Sequence, residues 1–364
     1  MAYTTIDDPS EYFQTAIYTG NGTNPHSITN NGNSNLQPDW VWIKNRSDSN
    51  AHIVKDTSRG DAKRLRPDRT GEEDDADEIS FDSDGFTLKD TGANINGNSN
   101  NFVAWQWKAN GGTTTSQTGS DIDSVTQVNT DAKFSIVTYN GAAGSDSANN
   151  SGAYWRVKHG LGSVPKFAIF KCTSHAHGWY VWHHGFSGAS KNDGDHIVLN
   201  TTSAMASESG NILWGNTEWS TTEFEIGGWD VINRSGQSYI AYMFDEVKGY
   251  SKFGSYTGNA NADGAFVYTG FKPAWVMTKR TDSSQNWAIY DNKRDGINVI
   301  DKLLYPNGTD AEVTTGGSLM VDFLSNGFKW RGNSAISNGS GNHIYMAFAE
   351  NPFVSSKGVP TTAR

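Results

Sequence analysis

Four histidines, His175, His177, His183 and His184, fall within ten positions, a density at which a metal ion is the first chemistry to consider. A zinc ion needs ligands converging at about 2.0–2.1 Å, commonly with cysteine or carboxylate partners. On a strand His183 and His184 point to opposite faces and cannot both reach one ion. The cluster therefore reads as partly exposed strand histidines, and no metal is expected. Asp82-Ser83-Asp84-Gly85 resembles half of a calcium loop, with more acid from Glu72 to Glu78. An EF-hand loop closes on a glutamate, and the stretch through Asn94 brings none, so a turn is the better reading.

Nucleophilic chemistry is equally sparse. Cys172 is the single cysteine, so no intrachain disulfide forms, and its apolar run from Phe167 predicts a buried, inert thiol. The nucleophile elbow GxSxG, the zinc motif HExxH and the phosphate loop GxxxxGK[ST] are all missing. The chain is read as a non-enzyme without a cofactor. A glycosidase needs only two facing carboxylates, which leave no motif, so a glycan-depolymerising enzyme is the alternative. One cluster suits sugar recognition. Trp179, Tyr180, Trp182 and His183 combine aromatic faces for sugar rings with polar donors for hydroxyls, flanked by His175, His177 and His184. They are the candidate glycan-binding residues. The competing reading has these rings filling an enlarged core around an insertion at 190–216.

The composition narrows the classes further. The 364 residues include 39 Gly, 13 Trp, 14 Tyr and 17 Phe, while only 35% are hydrophobic. Large rings in short strands can still build a core, each burying roughly 150–250 Å². A formal charge of −10 repels a phosphate backbone, so nucleic acid is not an expected partner. The basic stretch Lys63 to Arg69 is followed at once by Glu72-Glu73-Asp74-Asp75, and the two are expected to neutralise each other. Met1 to Phe13 carries Asp7, Asp8 and Glu11 and does not read as a secretory signal. No run of 18 apolar residues exists, so no membrane insertion is expected and the protein should be made in a cytoplasm and stay soluble.

These side chains must be positioned by strands. The apolar runs are short, aromatic or β-branched, and bounded by Gly, Asn, Asp and Ser clusters. Helical periodicity is scarce, with 291–304 the best candidate. The chain also says nearly the same thing three times. Tyr18-Thr19-Gly20, Tyr139-Asn140-Gly141 and Tyr256-Thr257-Gly258 open the units. Proline-led strands follow at Pro38 to Lys44, Pro165 to Lys171 and Pro273 to Lys279, each with an aromatic two residues after the proline. Gly85-Phe86, Gly228-Trp229 and Gly327-Phe328 then lead to closing aromatic strands at Phe102 to Trp107, Tyr239 to Phe244 and His343 to Phe348.

Features kept in all three copies read as scaffold, whereas a feature of one copy is where function can differ. The expected fold is all-β, with three tandem β-sandwich or jelly-roll-like modules and little helix. The boundaries are 1–112 for module one, 113–131 for a flexible linker, 132–253 for module two with its insertion, 254–355 for module three and 356–364 for a tail. Modules two and three should pack together through the aromatic connection Val247 to Gly254.

Several strings resemble a repeated domain family of unknown function found in tail-fibre-like and other virion proteins of marine tailed phages. They are Gln37 to Arg46, Phe81 to Leu88 and Phe102 to Ala109 in the first unit, and Gly270 to Val276 and Ile344 to Phe353 in the third. The second unit departs from the pattern and is assigned by internal similarity. The resemblance implies a bacteriophage virion structural protein, either a tail fibre or spike component or a capsid-decorating protein, acting in assembly and host attachment. It implies other virion proteins as partners, homo-oligomers in the particle, and host surface glycan as a further partner. It carries over no catalytic or binding residue.

Overall fold

The aromatic runs form strands paired antiparallel, and the chain is nearly all β. The computed structural model describes residues 2–142, 150–186, 194–208 and 213–361. In the first unit the opening strand Phe13–Thr19, the closing strand Asn101–Trp107, the proline-led strand Trp40–Asn45 and the following strand Ile53–Asp56 lie side by side in that order. The third unit has the same order, with Ser251–Gly258, Gly341–Pro352, Phe271–Arg280 and Ala288–Asp291. The second keeps it with Phe134–Asn140, Ser238–Phe244, Phe167–Cys172 and Trp179–His183, and its sheet is extended at both edges.

Each recurring residue type has a local physical reason. The tyrosine of every opening turn is a tie: Tyr18, Tyr139 and Tyr256 donate their hydroxyls to the carbonyls of Ile95, Ile232 and Ser337. The glycine two residues later lets a loop approach closely. A Cβ on Gly20, Gly141 or Gly258 would lie 2.2, 1.9 or 2.1 Å from a main-chain oxygen. Gly85 and Gly327 start the hairpin strands Gly85–Leu88 and Gly327–Trp330, and a Cβ there would meet the carbonyl oxygens of Ile28 and Val267.

Every main sheet is covered on both faces. One face packs on a smaller sheet of its own unit, formed by His26–Ile28, Gly85–Leu88 and Ile79–Asp82 in the first and Phe266–Tyr268, Gly327–Trp330 and Val321–Leu324 in the third. The other face enters a core shared by all three units. There Trp40 stacks on Tyr242 at 4.6 Å, Phe13 on Phe348 at 5.2 Å and Phe167 on Phe253 at 5.7 Å, while Trp107 meets Trp275 edge-on at 5.6 Å. This double burial explains why Trp40 to Ile43 is apolar at successive positions.

The span 113–131, expected as a flexible linker, departs from that expectation. It carries strands Thr115–Gln117 and Ser124–Asn129, which join the second unit's sheet beside its opening strand. Its entry is fixed by the buried Asp39, whose carboxylate accepts the N–H groups of Ala109, Gly111 and Gly112 and the hydroxyl of Thr57. Polar composition gave no hint of this, because the strands pair through backbone and that carboxylate lies far away in sequence. The helix expected over 291–304 shrinks to Asn292–Asp295, capped by the Asp291 carboxylate and ended at Gly296 with φ +72°. Beyond it Ile300 and Leu304 pair as bridges with Val321 and Ile289. The tail turns back, where Ser356 is held by Asp7 and Val354 bridges to Pro360. Parts of the predicted insertion, 190–193 and 209–212, and of the tail, 362–364, lie outside the described residues.

Candidate functional site

The recurring lysine at the end of each proline-led strand is fully buried in all three units. Its ammonium is held by carbonyls alone, one of them always from another unit. Lys44 donates to Asn45 O at 2.7 Å and to Thr309 O at 3.1 Å. Lys171 donates to Cys172 O at 2.8 Å and to Thr70 O at 3.1 Å. Lys279 donates to Arg280 O at 2.8 Å and to Thr202 O at 3.3 Å. The first unit thus reaches the third, the second the first and the third the second. Desolvation pushes each ammonium down to about 8.

The residue facing each lysine across the strand pair follows the same cycle. Trp179 is paired with Lys171, and one step beyond the neighbouring pairs His52 faces Lys44 and Trp287 faces Lys279. Trp179 donates its indole N–H to Arg66 O at 3.0 Å, and Trp287 to Val198 O at 3.3 Å. His52 accepts from the Trp42 indole and bonds Tyr305 O at 3.0 Å through its other nitrogen. Two inward-facing positions further on, past Val54, Val181 and Ile289, stand Asp56, His183 and Asp291. Asp56 accepts from Tyr242 at 2.7 Å and Asp291 from the Trp105 indole at 3.0 Å, whereas His183 bonds Tyr345 O at 3.1 Å. The two aspartates carry a buried arginine three residues on, Arg59 and Arg294, each 2.6 Å away. The second unit replaces this pair by His183 and Phe186, and burial pushes His183 down to about 3, so the substituted pair is uncharged at neutral pH.

The four sequence-predicted glycan residues are therefore divided rather than gathered. Strand alternation sends Trp179 and His183 into the shared core side and Trp182 into the second unit's own core, where it packs on Trp219 at 4.6 Å. Trp179, Trp182 and His183 are buried. Tyr180 is half-buried between His196 and Trp229, with ring separations of 5.3 Å to each. They form no common exposed platform. Trp179 also has counterparts in the other units: Trp287 in the third, and His52 in the first, where histidine takes the place of tryptophan. The rings of His183 and His184, expected on opposite faces, stack at 5.3 Å because the strand ends at His183. Their nitrogens are engaged by main chain: His183 by Gly185 N and Tyr345 O, His184 by Phe253 O.

The acidic and basic runs also engage each other, with Lys63 on Asp75, Arg64 and Arg66 on Asp74, and Arg64 on Glu78. Asp84 accepts from Leu36 N and Asp82 from the Thr87 hydroxyl, which commits both to the turn.

What remains open lies at the seams and on the outer faces. A groove of about 520 Å³ separates Arg59, Lys63 and Glu73 from Val125, Thr138 and Asn140. A second cleft, about 470 Å³, lies between the second and third units and includes Tyr3, Val164, Lys248 and Tyr268. Tyr268 is 55% exposed and Phe266 47%, both on the outer side of an edge strand. In the first unit Ser27 stands where Phe266 does, opposite Thr87 rather than Lys329. Phe266-Val267-Tyr268 was the legible signal for this face, an alternation without counterpart in the other copies. No helix among the described residues is long and apolar enough to cross a membrane.

A family model described as a domain of unknown function, DUF7483, matches residues 8–352, nearly the whole chain. No curated protein and no solved structure matches it.

Proposed function

The chain belongs to the DUF7483 family, and we propose that it is a structural protein of a bacteriophage virion that presents a binding surface without catalysing a reaction. On this reading it is a tail fibre or spike component or a capsid-decorating protein, held among other virion proteins and in contact with host surface glycan. One observation carries the reading. The buried groups best suited to chemistry are already engaged: the lysines and aspartates bond across units and the arginines pair with those aspartates, while the copies differ on their outer faces. Such a body is a rigid support whose surfaces can diverge at little cost to the core. The sequence resemblance to a domain of phage virion proteins supports the same assignment. Antibody labelling of intact particles, with mass spectrometry of purified virions, tests it. The protein should label a defined particle structure, and its absence from purified virions overturns the proposal. Incubation with host capsule or lipopolysaccharide should release no oligosaccharide, and turnover would instead establish the depolymerase alternative.

A further inference from the structure

The seam between the second and third units differs from the other two. Asp39 fills the corresponding place in the first unit by binding 109–112, and Ala274 stands there in the third. In the second unit the residue is Lys166, at the rim of the open cleft of about 470 Å³. Two aromatic rings wall it. Tyr3 donates to Gly270 O at 2.8 Å, and its hydroxyl lies 3.3 Å from that of Tyr268, which fixes both phenols at one corner. Tyr268 remains 55% exposed and Val164 40%, so apolar surface faces solvent across the opening.

The charges are arranged asymmetrically. Glu246 accepts from Lys166 at 2.7 Å and Lys252 at 3.0 Å, so one carboxylate serves two ammonium groups. Lys248 sits 4.2 Å over the centre of the Tyr3 ring and pairs with no carboxylate among the described residues. Three lysines therefore face Glu246 and Asp245, a local positive balance on a chain whose formal charge is −10. On a chain of negative net charge, this local positive balance makes the cleft a point of attraction for an anion.

We propose that this cleft binds a carboxylate-bearing sugar, a uronic acid residue of a host-surface glycan. The Tyr268 face receives the sugar ring, Lys248 takes its carboxylate, and Val164 closes the apolar wall. The proposal deepens the attachment reading and rests on it, yet its test is separate from locating the protein in particles. Titration calorimetry of the full chain with a galacturonic acid tetramer should show binding that weakens as salt rises. Fully methyl-esterified tetramer, which has the same rings without charge, should bind at least about tenfold more weakly, a difference near 1.4 kcal/mol. Lys248→Gln should cause a similar loss. Tyr268→Thr, which installs the residue type of Thr29 in the first unit, should weaken both forms. Both positions are exposed, and an unchanged melting temperature establishes that the variants fold. Lys63→Gln in the other groove should leave binding unaltered. Equal affinity for the acid and its ester, equal affinity for polyglutamate, or full binding by folded Lys248→Gln and Tyr268→Thr overturns the site. Loss of binding with the protein still on virions would leave the structural role standing.

Discussion

Trp275 illustrates what single side chains contribute to the shared core. Its ring touches Phe13, Trp107 and Phe348, and it is fully buried, yet its indole N–H has no hydrogen-bond partner among the described residues. Trp275→Ala should cost about 3–5 kcal/mol by removing these contacts and leaving a cavity. Trp275→Phe should cost only about 1–2 kcal/mol, because it also removes an unsatisfied donor. Phe167 already fills that place in the second unit. Urea unfolding of the two variants checks the ordering, and equal losses would contradict it. The buried histidines set an acid limit. Burial pushes His183 down to about 3 and His159 and His343 to about 4, and holds His52 well below its ordinary range. The unfolded chain then takes up protons first, starting near pH 6.5, so folding stability falls as pH drops below that value. Each histidine should contribute about 1.4 kcal/mol per pH unit until its folded pKa is reached. Unfolding midpoints at pH 7.0 and 5.5 should differ accordingly, and equal midpoints would refute the neutral, buried assignment.

Among the elements, the connection from the first unit to the second rests on Asp39. Its two carboxylate oxygens gather three main-chain donors, the Thr57 hydroxyl and the Gln127 amide. Bonds to an ionised acceptor are stronger than neutral ones, and several buried donors would be stranded by its loss. Asp39→Ala should therefore destabilise the protein by about 3 kcal/mol or more. It should also expose 109–113 to protease, while the wild-type chain resists cleavage there. Prompt cleavage of the wild-type protein between 111 and 131 would restore the flexible-linker reading.

At the scale of the molecule, the units are joined by one aromatic core and a cycle of lysine-to-carbonyl bonds. A unit cut free would expose half of its sheet residues and strand a buried ammonium. Calorimetry should accordingly record a single cooperative transition, and the second unit expressed alone as 132–253 should fail to fold. Two or more separated transitions, or a stable isolated unit, would mean that the modules are autonomous after all.

The sequence by itself determined the all-β class and the order in which the opening turn, the proline-led strand and the closing aromatic strand recur along the chain. These are local properties, written in aromatic alternation, in the Tyr-x-Gly turn and in glycines where a loop crosses closely. It also exposed the mutual neutralisation of Lys63 to Arg69 with Glu72 to Asp75, since both runs belong to one stretch of chain. Only the tertiary structure decided that Trp179 and His183 are buried joints, because their partners, Arg66 and Tyr345, lie more than a hundred residues away. The fate of 113–131 was hidden for the same reason. Its order comes from pairing with another strand and from Asp39, and neither leaves a mark in its own composition. The cleft around Lys248 and Tyr268 exists only where the second and third units meet, and a meeting of surfaces is a property that no single segment of sequence carries.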